Sequence, residues 1–354
     1  MTKIDMIQSL MEKAATDGDF SGVCLVEEQG NRTYEGAFGF AHKGFKVANA
    51  LDIRYDVASV TKWVTGVAML QLVDKGLVTL TDLLWDHVDL GDSPIPKTVT
   101  IDHLLTHTSG IADDADEEAG EDYADLFVDS PNYKIRTLED FLPNFVHKEP
   151  VFQPGQAVRY NNVAFVLLGM ILEKVTGMNY RDYVVQHVFG PAHMKGSGFF
   201  SMDGVHAKVA EHYPTIEDAQ GQPQGIKKNI YSYPPIGSPD GGMHTTAGDL
   251  CKFMRALYGG RLLSKAMTEK MTRPQVLIRK DEDMAFHYGY GCNFALDPED
   301  RVIWQAKDGM NAGVASMVKH YPDQDVSVVI LANEDHNVWR LSREIHKILF
   351  EEQL

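Results

Sequence analysis

The stretch DVASVTKWVTGVAML places Ser59 three residues ahead of Lys62. An unactivated serine hydroxyl is a poor nucleophile and needs a base within hydrogen-bond reach. A lysine can be that base when burial or a neighbouring positive charge depresses its pKa. On a helix, positions i and i+3 share one face, a turn apart. A serine at the helix start also lies in the positive end of the helix dipole, which favours a developing alkoxide and a neutral lysine. The same spacing recurs at Ser316 and Lys319 in ASMVKHY. That stretch reads as a strand, where an odd separation puts the hydroxyl and the amine on opposite faces. Geometry therefore keeps the first pair and rejects the second. No G-x-S-x-G elbow occurs in the chain, which argues against an α/β-hydrolase.

Two further groups complete a possible site. Tyr160-Asn161-Asn162 is the only Y-x-N in the sequence, just ahead of a predicted helix. A phenol beside ammonium groups can titrate low enough to accept a proton, and an amide can hold a substrate carbonyl. Lys307-Asp308-Gly309 is the only K-x-G and falls in a predicted strand. Lys307 can face the site, and Gly309 is expected to let substrate approach the backbone closely.

Taken together, these elements resemble the S-x-x-K, Y-x-N and K-T-G motifs of the penicillin-recognising serine hydrolases. The tyrosine form of the second motif is similar to that of class C β-lactamases, D-alanyl-D-alanine carboxypeptidases and carboxylesterases of the same fold. TIDHLLTHTSGI, FQPGQAVRYNNVAFVLLGMILEKVTG, PDGGMHTTAGDLCKF and YPDQDVSVVILAN extend the likeness over residues 22–333. The resemblance implies that Ser59 is acylated and that Lys62 and Tyr160 share the base and proton-shuttle roles. It implies that Asn162 holds the acyl side and that Lys307 tunes Tyr160 and orients substrate. The backbone N–H groups of Ser59 and Met310 would form an oxyanion hole. One departure stands out: Asp308 takes the place of a hydroxyl residue that helps β-lactamases bind the antibiotic carboxylate. An aspartate facing the pocket would repel an anion.

The surrounding sequence says what must hold these groups. The 354 residues are 44% hydrophobic and 23% charged, without repeats, so a large core is available. Residues 3–11 have apolar side chains at helical spacing and charges throughout, an amphipathic helix rather than a signal peptide. SGVCLVEE and RTYEGAFGF read as a hairpin around Gln29-Gly30-Asn31. Helices are predicted over 59–75, 163–176 and 247–258. VIWQAKDG, VASMVKHY and VSVVILAN are strands, followed by a last helix. Strands at both ends and helices between predict an α/β (α+β) fold. Its antiparallel sheet is built from both termini, with a mostly helical region inserted. The expected division is 1–75 with 285–354 for the sheet domain and 76–284 for the helical one, with the site at their interface.

The formal net charge of −17 argues against nucleic acid and anionic membranes as partners. The run DDADEEAGEDYAD, residues 113–125, reads as a solvated loop. Three widely spaced cysteines, Cys24, Cys251 and Cys292, argue against a disulfide framework and for a reducing compartment. No stretch has the ~20 apolar residues of a membrane span, and a cytoplasmic location is expected. His103 and His107 have ligand spacing, but no third ligand is suggested, so packing is the expected role. Trp63 and Tyr55 flank the nucleophile, either as core or as pocket lining. No metal or cofactor is called for. The expected partner is a small ester, amide or β-lactam. The functional reading is a serine hydrolase, carboxylesterase-like, with a β-lactamase, a D-alanyl-D-alanine carboxypeptidase or a D-aminopeptidase as alternatives. A binding homologue without catalysis is disfavoured by the intact Ser59, Lys62 and Tyr160.

Overall fold

A computed structural model describes residues 1–350. Fourteen strands and eight α-helices are present among them. The first helix, α1 (Lys3–Thr16), begins with a capping box in which Thr2 and Asp5 satisfy each other's backbone N–H. The strands β1 (Gly22–Glu28) and β2 (Asn31–Phe38) follow as the expected hairpin. Gln29 and Gly30 both have positive φ, 50° and 77°, the geometry that matches the twist of a two-residue hairpin. Short strands β3 (Phe40–His42), β4 (Val47–Ala48) and β5 (Tyr55–Asp56) lead to α2 (Thr61–Asp74).

The middle of the chain is loop-rich and helical. It contains α3 (Ile101–Leu105), α4 (Val163–Thr176) and α5 (Tyr180–Val184). The small hairpin β6 (Thr215–Glu217) and β7 (Pro223–Ile226) and the strand β8 (His244–Thr245) come next. Two helices, α6 (Ala247–Tyr258) and α7 (Lys265–Met271), close this part. The C-terminal strands are β9 (Val276–Lys280), β10 (Ala285–Tyr288), β11 (Asn293–Leu296), β12 (Val302–Asn311), β13 (Val314–Tyr321) and β14 (Val326–Ala332). The described chain ends with α8 (Val338–Phe350).

The main sheet has eight strands in the order β2-β1-β14-β13-β12-β11-β10-β9. Every neighbouring pair in it is antiparallel. It is therefore assembled from both ends of the chain, as expected. The sheet also takes in β9, and α6 packs on β1 and β14. Strand alternation sorts the sheet's side chains into two cores. Cys24, Val26, Met317 and Ile330 pack with α1 and α8. Val23, Leu25, Val318 and Leu331 join a core that runs through the whole helical region.

At the centre of that second core lies α2. Every residue from Thr61 to Leu72 is buried, the behaviour of a helix that is apolar all round. Tyr55 and Trp63 resolve to the core: both have no exposed surface. Tyr55 donates to Asn49 Oδ1 at 2.7 Å, and Trp63 meets Phe253 edge-on at 5.9 Å between ring centres. The three cysteines are free and buried. No single helix among the described residues is long and apolar enough to cross a membrane.

Because Trp63 fixes the helix that carries Lys62, truncation should be felt as lost stability. Trp63→Ala is expected to cost about 3–5 kcal/mol. Thermal denaturation followed by circular dichroism checks this; an unchanged midpoint would show that α2 is not anchored there.

Candidate active site

Ser59 sits in a 3₁₀ turn, Ala58–Val60, that runs directly into α2. The residue before it, Ala58, is held at φ 43°, a left-handed conformation that costs a non-glycine residue about 1–3 kcal/mol. Its N–H donates to Asp56 Oδ1 at 2.7 Å. Thr61 Oγ1 donates to the Ala58 carbonyl at 2.7 Å. These bonds fix the turn, and the turn aims Ser59 into a cavity of about 540 Å³.

One helical turn on, Lys62 has no exposed surface. Its Nζ lies 2.9 Å from Ser59 Oγ, 2.7 Å from Asn162 Oδ1 and 2.6 Å from the Asp240 carbonyl. Burial lowers its pKa to about 8; the charge of Asp240 works against that, Lys307 adds to it, and Glu117 and Asp113 oppose it. The two carbonyl-type oxygens can only accept. When Lys62 loses its proton, its two remaining N–H bonds satisfy them, and the lone pair is left facing Ser59.

Tyr160 donates its hydroxyl to Ser59 Oγ at 2.6 Å. The ammonium groups of Lys62 and Lys307 lie 4.9 and 4.8 Å from its ring centre. The expectation of a low-titrating phenol fails. Burial drives the Tyr160 pKa well up, Glu117 pushes it further, and the bond to Ser59 only partly offsets them. Proximity to cations is outweighed by loss of water. Beneath the phenol lies His107, 4.8 Å from it between ring centres and packed also against Phe165 at 5.3 Å and Tyr288 at 4.6 Å. Its Nδ1 accepts the Asn161 N–H at 3.1 Å, and burial, then Lys307 and Lys62, hold it neutral with a pKa well below the usual imidazole value. His103 and His107 do not share a helix face, because α3 ends at Leu105 and His107 takes φ 59°. Packing is the role of His107, and what it packs is Tyr160.

Asn162 is engaged at both ends of its amide, by Lys62 at Oδ1 and by Glu117 Oε1, 3.0 Å from its Nδ2. The Tyr160–Asn162 segment is held from outside by the acidic run 113–125, which is not merely a solvated loop. Asp113 and Asp114 are buried. Asp113 accepts the N–H groups of Asn162 and Val163 at 2.8 and 3.0 Å, an N-terminal cap for α4 supplied from far along the chain. Asp116 takes two 2.6 Å bonds from Arg159 Nη2, and Glu118 accepts the Tyr160 N–H at 3.0 Å. Burial raises the Asp113 pKa to about 6 against those backbone donors.

The third motif lies on β12 opposite Ser59. Lys307 is buried and points to Tyr160. Gly309 has a different use from the one expected. A Cβ there would lie 2.1 Å from the Val57 carbonyl and 2.9 Å from the Ser59 nitrogen, so the glycine seats the strand against the turn that carries Ser59. Asp308 alternates to the other face of the sheet and accepts from Trp339 Nε1 of α8 at 3.1 Å. Burial raises its pKa, but Lys307, 3.6 Å away, wins and the value is lowered. It is not among the cavity-lining residues; Met310, one of the two expected oxyanion-hole residues, is, together with Ser59. The rejected serine, Ser316, donates to the Val57 carbonyl at 2.9 Å and braces the turn. Lys319 lies on the opposite face, 4.9 Å from the Trp304 ring centre.

Sequence reasoning missed Glu117, Asp113 and the Asp240 carbonyl as members of the site. For Asp240 a signal existed in PDGG, whose second glycine adopts φ 85° to bring the Asp240–Gly242 turn onto Ser59 and Ala58. Among the described residues there is no His, Cys, Asp or Glu group of metal-binding geometry.

The family model described as Beta-lactamase matches residues 5–351. The chain is 26% identical over 341 residues to "Penicillin-binding protein 4*" of Bacillus subtilis, covering 94% of this chain and 72% of that protein. A penicillin-binding protein from Bacillus halodurans superposes with a TM-score of 0.88 and 35% identity, covering 97% of this chain and 99% of the other. A D-stereospecific amidohydrolase from Streptomyces sp. shares the fold, with a TM-score of 0.79, 23% identity and 99% of each chain covered.

Gly309→Ala should push β12 off the Ser59 turn. It is expected to cost about 1–3 kcal/mol of stability by overpacking and to slow labelling of Ser59 by a fluorophosphonate more than tenfold. Labelling at the wild-type rate would mean that the strand does not set the position of Ser59.

Proposed function

This chain belongs to the Beta-lactamase family, and from that premise we propose that it is a serine hydrolase cleaving small uncharged or cationic esters and amides, carboxylesterase-like, through an acyl-enzyme on Ser59. The observation that carries the reading is the setting of Lys62, a buried amine whose third hydrogen-bond position is Ser59 Oγ. In acylation, Ser59 Oγ bonds to the substrate carbonyl carbon and gives its proton to Lys62. The N–H groups of Ser59 and Met310 receive the oxyanion. The bond to the leaving group breaks, and that group takes a proton from the Lys62–Tyr160 pair. Tyr160 works as a neutral donor, in keeping with its raised pKa. Water then releases the acyl group with the same pair acting in reverse.

The substrate class follows from charge. Glu117, Glu121, Asp122, Asp240 and Asp335 line the cavity against one lining lysine, Lys227. A β-lactam or a peptide ending in a free carboxylate enters against that field. Asp308, turned across the sheet to Trp339, offers no hydroxyl to bind such a carboxylate. These features favour the ester and amide reading over the β-lactamase and D-alanyl-D-alanine carboxypeptidase ones. A D-amino acid amide, with its free ammonium, remains compatible with the same field.

Three measurements test this. Mass spectrometry after fluorophosphonate treatment should show one adduct, on Ser59, that disappears in Ser59→Ala; an adduct elsewhere, or none, would overturn the acyl-enzyme. Since neutral Lys62 is the base and its pKa lies at about 8, the labelling rate should climb with pH. A rise of about fivefold from pH 7 to pH 8 is expected, with a plateau above about pH 9. A flat profile would remove Lys62 from the base role. Short p-nitrophenyl esters should be turned over at least tenfold more efficiently than nitrocefin, and the reverse order would reject the substrate class.

A further inference from the structure

Asn162 has one amide and two unlike neighbours: the Lys62 Nζ, which needs an acceptor, and a carboxylate, which needs a donor. A terminal amide can turn over and exchange its oxygen and nitrogen. Turned over, it would aim an N–H at Lys62 and leave that buried amine one acceptor short. The bond from Asn162 Nδ2 to Glu117 Oε1, 3.0 Å long, ties the nitrogen end and so leaves Oδ1 on Lys62. No other protein acceptor for Nδ2 is present among the described residues. Glu117 itself sits in a short 3₁₀ turn, Glu117–Ala119, whose start is fixed by Asp116 accepting the Ala119 N–H. Asp116 is in turn paired with Arg159, so the carboxylate is presented by a braced segment.

From this geometry we infer that Glu117 is a positioning residue for acyl transfer: it locks the Asn162 amide in the orientation that holds the Lys62 lone pair on Ser59. The inference rests on the serine–lysine reading above and extends it to a residue outside the three motifs. Glu117 also borders the cavity, so a role in gripping substrate is the rival to be separated from it.

Glu117 has a second effect, through charge. Lys62 faces Asp240, Lys307, Glu117 and Asp113, with the rings of Tyr160 and Phe165 packed over it and the neutral His107 close by. In that set the Glu117 carboxylate supports the protonated amine. Removing its charge shifts Lys62 toward the neutral form at lower pH.

The two effects separate in two variants. Glu117→Gln keeps an oxygen that can accept from Asn162 Nδ2 and loses the charge; Glu117→Ala loses both. Ester hydrolysis is measured for each against pH, with thermal melting to confirm folding. In Glu117→Ala, kcat should fall about tenfold or more, the effect of losing one charge-assisted hydrogen bond, with KM within about threefold of wild type. Glu117→Gln should recover most of kcat. In both, the acid limb of the rate profile should move to lower pH. Equal losses of kcat in the two variants, a change carried by KM alone, or an acid limb that stays in place would overturn the role. Should Glu117→Ala not fold, the glutamine variant decides alone: retained kcat with a displaced limb supports the inference, and lost kcat or an unmoved limb rejects it. Fluorophosphonate labelling of the wild type is run alongside. If Ser59 is not labelled there, it is the serine–lysine reading that has failed, and the positioning role falls with it; if Ser59 is labelled and the variants behave like wild type, only the role of Glu117 is lost.

Discussion

A lysine amine with no contact with water sets the terms for the rest of this molecule. Burying an ammonium costs several kcal/mol unless its donors are met, and Lys62 is buried at the centre of the larger core. Two carbonyl-type oxygens and one hydroxyl supply its partners. They come from three distant parts of the chain: the α2 entry turn, the start of α4 and the Asp240–Gly242 turn. None of these can shift without leaving Lys62 short of an acceptor. The same enclosure depresses its pKa to about 8, close enough to neutrality for a useful fraction of free amine. The stability cost and the chemical competence thus have one origin.

Each partner is in turn held by something that is not itself reactive. Ala58 is kept in a left-handed conformation by Asp56, and β12 can close on that turn because Gly309 has no Cβ. Ser316 ties β13 to the same turn through the Val57 carbonyl. On the other wall, Asp113 caps α4 through the N–H groups of Asn162 and Val163, and Asp116 and Glu118 fasten Arg159 and Tyr160. Caps of this kind are worth about 1 kcal/mol each in ordinary helices. Here their larger value is positional, since Asn162 meets Lys62 and Tyr160 meets Ser59.

Periodicity made the elements readable. The helices 163–176 and 247–258 and the terminal strands emerge where local pattern and tertiary burial agree. Strand alternation also sorted Ser316 from Lys319 correctly, because an odd separation has the same consequence in any sheet. What local pattern could not carry was pairing at long range. The carboxylates of 113–118 look solvated in sequence, for their donors lie some forty to fifty residues on. β9, with mostly exposed side chains, has little of the alternation that would mark a strand. The Tyr160 pKa was misjudged for a related reason: the sequence shows which cations are near, but the deciding quantity is how little water remains.

Charge at the cavity mouth and base strength inside it are coupled by distance. Glu117 and Asp240 help make the entrance unfavourable to anions, and both also favour the protonated form of Lys62. Desolvation and Lys307 act the other way. A mouth with fewer carboxylates would admit anionic substrates and, by the same change, free the amine at lower pH. A more acidic one would reject anions more firmly and leave less free base near neutrality. Substrate charge and working pH are therefore not independent properties of this site. In the balance now in place, burial of Lys62 is opposed by the nearby carboxylates of Asp240, Glu117 and Asp113.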